Sequence, residues 1–505
     1  MKKFMLTITA FAIFSCALFL SAYADNTVRV GLRYGSGAGT SAKISADGGV
    51  IAIGTSPESM IIIDKNEITV SIRDGAPIIE GDEMPPATIP EEGPTDAQAE
   101  EEISDSEEAE EAEAEEVPEA IDTALMVSDK GGHIILSPAA SDGFLSYGGV
   151  QYRGSIELFV GSGGTLTVVN VVSVEDYICG VLAHEVYPSW HAEALKANAV
   201  AARTFTYSKM LSSPHASNGF DICATTHCQT YGGRLKEYAS TSDAVHATTD
   251  LVLTYNGALA LASYHASSGG ATESAAAVWG GNASSYPYLT SVVTPYEDYR
   301  NEPNGKWVSF VTPSAIAAKL APGYSRINYS LLDIDSFDYV RNPSGYISRM
   351  TVTDKKGGTA VISTADNVRA FFGSLVKSAN FGIAEAYLPS DDESTAVNIL
   401  QADGTVIVRG GKEDEVPEDG TPATDDEEAK EPKEEDAVGF DYVSSDGKVH
   451  HTDGLTRVLA FDGQGFGHGV GMSQFGSEDM AKAGFSFADI LATYYPGTTL
   501  RTYGN

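Results

Sequence analysis

Glu185 stands where an amphipathic helix must end. Ser173-Val174-Glu175-Asp176 has the S-x-x-D form of a helix start, and Val174, Ile178, Val181 and Leu182 then share one helical face. Glu185 falls four residues after Val181, so it continues that apolar face, and Pro188 stops the helix just beyond it. Burial disfavours a charged carboxylate, and the partial negative charge of a helix C-terminus disfavours it further. Both effects predict a raised pKa, the condition for a glutamate to donate a proton near neutral pH. The competing reading is structural, with Glu185 snorkelling to solvent or pairing with Arg203. Arg203 lies in the middle of a following helix, 192–211, whose many alanines allow close approach of neighbouring elements.

A second group surrounds a run of glycines. Gly463, Gly465, Gly467, Gly469 and Gly471 alternate with other residues, and His468, Ser473 and Gln474 project from or beside the run. The spacing is neither G-x-G-x-x-G nor a Walker loop, so no phosphate cradle is implied. Alternate glycines reduce one face of an extended segment to backbone, which predicts that a packed element or a ligand comes close. Tyr264-His265-Ala266-Ser267-Ser268-Gly269-Gly270 and Trp279-Gly280-Gly281 form a further polar and glycine-rich stretch. His265 with Ser267 is a weak hint of a serine hydrolase, and the G-x-S-x-G elbow that such chemistry needs is missing. Cys223-Ala224-Thr225-Thr226-His227-Cys228 places two thiols five positions apart.

The elements that carry these residues read as a mixed α/β fold of the α+β kind. It is a strand-rich core with a helical pair bearing Glu185, interrupted by two disordered acidic insertions. Lys2 and Lys3, an apolar run to Leu20 and Ala22-Tyr23-Ala24 form a signal peptide over 1–24, cleaved after Ala24; the alternative is an uncleaved membrane anchor. Export leaves Cys179, Cys223 and Cys228, an odd number of thiols outside the reducing cytoplasm, so at least one is free, metal-bound or intermolecular. Short strands follow over 25–78. An acidic linker occupies 79–123, the core runs over 124–410, a second acidic insertion over 411–438, and the glycine run lies in the closing part, 439–505. Strands are expected around 134–136, 155–159, 165–172, 251–255, 260–265 and 347–352, with a helix after Thr364 burying Val368, Phe371 and Phe372.

The formal charge is −38. Residues 80–122 and 413–436 within the two acidic segments carry a net thirty of those negative charges, and neither segment can bury enough apolar surface to offset the entropy of ordering. Such a charge excludes nucleic acid as a partner held by bulk electrostatics.

With these pieces in place, the sequence resembles the stage II sporulation protein D family, also called the amidase-enhancer family. The resemblance is carried by Val174-Glu175-Asp176-Tyr177, Glu185-Val186-Tyr187-Pro188, Glu193-Ala194-Leu195-Lys196-Ala197, Ala199-Val200-Ala201-Ala202-Arg203-Thr204, Tyr264-His265, Ser268-Gly269-Gly270, Trp279-Gly280-Gly281 and 467–474. It implies an exported lytic transglycosylase acting on peptidoglycan glycan strands whose stem peptides an amidase has removed. The family's catalytic glutamate falls on Glu185. Arg203, Gln229, His265, Ser268, His468, Ser473 and Gln474 match positions expected along the glycan groove. The resemblance also implies a structural zinc held by Cys223, Cys228 and His215, with His227 as an alternative ligand and a Cys223–Cys228 disulfide as the rival; the chemistry itself requires no cofactor. A cell-wall amidase is the implied partner. Tyr187 is an extra residue relative to the usual Glu-Met-Pro, which bears on the groove wall rather than on the chemistry.

Overall fold

Valine- and isoleucine-rich runs form the strands of the structure, a computed structural model describing residues 26–46, 49–53, 61–63, 65–80, 132–138, 143–311, 334–354, 359–389, 397–400, 406–409, 440–443, 449–452 and 455–504. The expected signal peptide and the insertion at 411–438 lie outside the described residues. The fold is mixed α/β and divides into two compact units, Met1–Ser189 with Phe205–Asp250, and Trp190–Thr204 with Leu251–Asn505. The sequence reading, which placed all of 124–410 in one core, shows no mark of this division.

The first unit contains β1 (Thr27–Arg33), β2 (Ser41–Ala46), β3 (Val50–Ile53), β4 (Ile61–Ile63), β5 (Glu67–Arg73) and β6 (Ala76–Glu80). Strand β6 takes the first two residues assigned to the linker at 79–123, whose remainder lies outside the described residues. Beyond it come β7 (His133–Pro138), β8 (Leu145–Tyr147), β9 (Val150–Tyr152), β10 (Ser155–Val160), β11 (Leu166–Ser173) and β12 (Ile222–Cys223). One sheet has the order β12-β1-β11-β10-β7-β3-β4 and the other β6-β5-β2-β8-β9. In the first, β11 is buried at every position but its last, and its Leu-Thr-Val-Val-Asn-Val-Val run suits a strand covered on both faces. In the second, β2 alternates exposed and buried residues, as a sheet with one wet face requires. Strand β1 pairs with β11 in antiparallel register, Val28 opposite Val172, and with β12 in parallel, Val30 opposite Ile222. The opening segment is therefore built into the same sheet as the chain beyond the first acidic segment.

Helix α1 (Val174–Glu185) leaves β11 directly, and Ser173 caps it by accepting the Asp176 N–H at 3.1 Å. Helix α2 (Ala192–Ser212) contributes its first part to the second unit and the rest to the first, where α3 (Ala239–His246) also packs.

The second unit contains β13 (Leu251–Tyr255), β14 (Ala258–Leu259), β15 (Tyr264–His265), β16 (Lys306–Val311), β17 (Ile334–Arg341), β18 (Ile347–Asp354), β19 (Thr359–Ser363) and β20 (Phe381–Pro389). Two hairpins, β21 (Val397–Leu400) with β22 (Val406–Arg409) and β23 (Phe440–Val443) with β24 (Val449–Thr452), precede β25 (Leu455–Gln464), β26 (Met472–Ser473) and β27 (Thr499–Thr502). Its helices are α4 (Ala275–Trp279), α5 (Ala365–Phe372), α6 (Gln474–Lys482) and α7 (Phe487–Tyr494). Of the strand expected over 260–265, only Tyr264–His265 forms, as β15, and 260–263 has no regular structure. Asn256 and Gly257, with φ of 50° and 81°, turn β13 into the antiparallel β14, whereas β15 pairs in parallel with β26. Around 260–263, Ala194, Ala197, Val200 and Ala201 of α2 form a core with Met480, Ile490 and Tyr494. A second core gathers Trp307, Phe371, Phe372, Phe381 and Phe461, and it contains the apolar face expected of the helix after Thr364.

The glycine run connects β25 to β26, and protein fills its bare face. The Trp307 ring lies over Gly463 and its indole N–H donates to the Gly465 carbonyl at 2.9 Å. Gly467 faces His265, Gly469 faces the Tyr346 ring, and Gly471 faces the Ser263 carbonyl, all three with φ between 73° and 112°. That carbonyl already accepts Tyr495 Oη at 2.7 Å and the Met472 N–H at 3.2 Å. Gly471→Ala therefore combines a left-handed φ with a collision against a backbone oxygen that cannot retreat. Chemical unfolding should show a loss of more than roughly 1–3 kcal/mol, the cost of the backbone strain alone. Gly37→Ala, where nothing lies near an added Cβ, should stay within about 0.5 kcal/mol.

Candidate functional site

Each expected residue is placed by the element that carries it, one unit at a time. In the first unit Val174, Ile178, Val181 and Leu182 are fully buried, and Glu185, the last residue of α1, is half-buried at the end of their stripe. The helix closes there, with the Val186 N–H reaching back to the Leu182 carbonyl at 3.2 Å, and Tyr187 is exposed. The loop 229–233 lies along α1 because two glycines admit it. Gly180 leaves room for the Tyr231 ring and the Gly233 carbonyl, and Gly232 leaves room for the His184 ring. Gln229 is 4% exposed, and its Oε1 accepts Tyr177 Oη at 3.2 Å and Thr206 Oγ1 at 2.8 Å. Its side chain thus joins α1 to the C-terminal part of α2 from the interior.

The cysteine segment folds back on itself. His215, Cys223, His227 and Cys228 bring one donor atom each within 4.8 Å of the others. Cys228 Sγ lies 3.5 Å from His215 Nε2 and 3.4 Å from His227 Nδ1, and Cys223 Sγ lies 3.7 Å from His227 Nδ1. No disulfide joins the cysteines, and His215 is held by stacking on Phe220 at 4.8 Å between ring centroids. Burial opposes ionisation of both thiols. Hydrogen bonds from Thr225 and His227 outweigh it at Cys223, bringing that thiol down to about 6, while Cys228 is pushed up to about 11. A tetrahedral zinc with bonds near 2.0–2.3 Å holds its ligand atoms roughly 3.5 Å apart, close to the three sulfur–nitrogen distances above, and two thiols with two imidazoles are a donor set that zinc accepts. His227 and His215 both reach, so a metal held here would take as its fourth ligand a residue that the sequence offered only as a substitute.

In the second unit, Arg203 is fully buried and its Nη1 donates to the Leu251 carbonyl at 3.2 Å. The parallel pairing of β15 with β26 sets His265 opposite Ser473. His265 Nδ1 donates to the Val470 carbonyl at 3.2 Å, so its Nε2 keeps a lone pair, buried and without a partner. His468 accepts the Val470 N–H at Nδ1, 3.0 Å away, and its ring lies 5.6 Å from His265 and 5.4 Å from Trp279. Burial and then the neighbouring His468 lower His265 to about 3; burial and then Arg369 lower His468 to about 4. Both imidazoles are neutral across the physiological range. Ser473 caps α6 through the Gly476 N–H at 3.1 Å, and Gln474, 5% exposed, begins that helix.

Ser267 and Ser268 converge on Glu297. Glu297 Oε1 accepts Ser267 Oγ at 2.9 Å and the Ser268 N–H at 2.6 Å, and Oε2 accepts Ser268 Oγ at 2.6 Å. Ser267 thus donates to a carboxylate while His265 faces Val470, and the serine-hydrolase pairing is not formed. Ser268 is fully buried in the same network. Glu297 was missed in the sequence because a lone glutamate in a loop carries no signal of the three donors that will meet it.

Comparison with known proteins supports the resemblance. Residues 162–255, which include Glu185, Arg203 and the cysteine segment, match the family model described as Stage II sporulation protein. The chain is similar to an uncharacterized protein of Brachyspira hyodysenteriae, 28% identical over 72% of this chain and 75% of that one. It is 27% identical to stage II sporulation protein D of Bacillus subtilis, over 66% of this chain and 75% of the relative. It is 29% identical to the amidase enhancer of Bacillus subtilis over 64% of this chain, and it spans 40% of that protein's length.

Glu302 lies beside this network with both carboxylate oxygens buried and unpartnered. Burial, then the charges of Glu297, Asp479 and Asp298, push it up to about 8 from an ordinary value of 4.5, against a smaller opposing contribution from Ser267. A folded-state pKa above the unfolded one favours folding most below pH 4.5, and that advantage is lost as pH rises through 8. Glu302→Gln cannot ionise. Its stability relative to the unmodified protein should be flat below pH 4.5 and climb steadily from pH 5 to 8, as read by chemical unfolding across that range; a pH-independent difference would refute the assignment.

Proposed function

We propose that the protein is an exported lytic transglycosylase that cuts peptidoglycan glycan strands, with Glu185 as its single general acid and base. The observation that carries this reading is the position of Glu185, half-buried at the C-terminal end of α1 within the segment that matches the family model. In the first step the carboxyl protonates the glycosidic oxygen as the bond from C1 breaks. The resulting carboxylate then takes the proton of the sugar's own C6 hydroxyl as O6 bonds to C1, closing a 1,6-anhydro ring and restoring the acid. Water is not the nucleophile, so the second carboxylate of a glycoside hydrolase is unnecessary. The nearby acidic residues in sequence are otherwise engaged, Asp176 at the α1 cap and Glu193 with Lys196 and the Phe487 N–H. Similarity to an amidase enhancer supports a second reading, a wall-binding protein that enhances a cell-wall amidase without cutting.

Digestion of stem-peptide-free glycan strands separates the two. Mass analysis should find 1,6-anhydro ends with the unmodified protein and a loss of at least about a hundredfold in rate with Glu185→Gln, the scale of general acid–base catalysis. Strand binding without anhydro products would favour the enhancer, and full activity in Glu185→Gln would remove Glu185 from the chemistry.

The four donors His215, Cys223, His227 and Cys228 would hold a structural zinc, which stabilises the loop before Gln229 and supplies no step of the reaction. Protein purified without chelator should carry one zinc per chain and lower its unfolding temperature when the metal is stripped. Absence of metal together with only one titratable thiol among Cys179, Cys223 and Cys228 would establish the disulfide instead.

A further inference from the structure

Helix α4 ends at Trp279, where Gly280 and Gly281 adopt φ of 81° and 88° and turn the chain away. Trp279 is left 39% exposed, and Tyr286, which lines the same hollow, is 41% exposed. Large rings open to solvent and gathered on one concavity mark a binding surface more often than a packing remnant. The hollow has a volume of about 220 Å³, with Asn282, Ser285 and Thr290 completing its wall. Pockets for drug-sized molecules run to roughly 300–1,000 Å³, so this one suits a single ring.

The chemistry of the wall narrows the occupant. No lining residue is charged, which argues against phosphate, carboxylate or a cation. The donors that stand unused among the described residues of the wall include the Trp279 indole N–H, the Tyr286 hydroxyl and the Asn282 side-chain amide, whose oxygen is already occupied by the Ser284 N–H at 3.0 Å. The Trp279 ring meets His468 at 5.4 Å and 59°, a contact that supports one side of the indole. A neutral ring with an apolar C–H face and several acceptor oxygens satisfies all of these groups together.

We infer that the hollow is a subsite for one N-acetylhexosaminyl ring of a glycan strand, laid on Trp279 and held at its acetamido and hydroxyl oxygens by Asn282 and Tyr286. The assignment deepens, and rests on, the glycan-cutting function proposed above. Tetra-N-acetylchitotetraose is the probe, titrated against tryptophan fluorescence and by calorimetry. The chain's tryptophans are Trp190, Trp279 and Trp307, and Trp307 is buried, so a ring settling on Trp279 should change the emission. Trp279→Ala should weaken binding about tenfold, and Tyr286→Phe, which keeps the ring and loses one donor, by about threefold to tenfold. Cellotetraose, which has no acetamido group, should bind about tenfold more weakly than the probe. Circular dichroism and thermal unfolding check the fold; should Trp279→Ala unfold, Tyr286→Phe and Trp279→Phe carry the comparison. Equal binding by folded variants and unmodified protein overturns the subsite and leaves the cutting function standing. A protein that neither binds the probe nor cuts denuded strands overturns both.

Discussion

Backbone meeting backbone without an intervening side chain is the constraint on which both units depend. In the first unit Gly180 and Gly232 let the loop 229–233 lie against α1, so the helix that ends in Glu185 has a fixed neighbour along its length. In the second, Gly465, Gly467 and Gly471 bring the link between β25 and β26 onto residues 263–268, and the short parallel pair of β15 and β26 forms only because of that approach. A methyl group at these positions would meet main-chain atoms or tightly held rings, which cannot rotate out of the way as an exposed side chain can.

The polar residues follow from the same close packing. Where chain lies on chain, buried donors and acceptors must find partners at short range, and they do: Asn170 takes Tyr231 and the Arg153 and Ser155 carbonyls, and Glu297 takes three donors from Ser267 and Ser268. His265 Nε2, Glu302 and the Tyr494 hydroxyl are exceptions among the described residues. For the imidazole and the carboxyl the low polarity around them is matched by a shift towards the neutral form, so that the protonation state compensates for the missing partner.

Much of this architecture was legible in the sequence where one residue type has one physical use. Ser173 before an apolar 3.6-residue period reads as a cap, Val368 with Phe371 and Phe372 reads as a buried helical face, and alternating glycines read as a close approach. Residues with two uses were less informative. Gln229, Ser268 and Ser473 are polar and were assigned to a surface that receives substrate, yet each is buried against the protein's own groups. Polarity shows that a partner is required without naming it. His227 stood only as an alternative to His215, and the turn at Thr225 to Cys228 is what brings it beside both thiols. The boundary between units at Thr204 and Phe205 left no sign, because α2 runs through it as one continuous helix.

Strand β1 lies inside a sheet between two partners that are both made later, Thr27 opposite Ser173 on one side and Val30 opposite Ile222 on the other. A chain that emerges from its N-terminus presents β1 long before either neighbour exists. Its main-chain groups must be satisfied by water, or shielded by a chaperone, until the sheet can close around it. The first unit is consequently a fold of high contact order whose completion waits on residue 223, and the acidic stretch between β6 and β7 lengthens that wait while enlarging the loop only logarithmically in entropic cost.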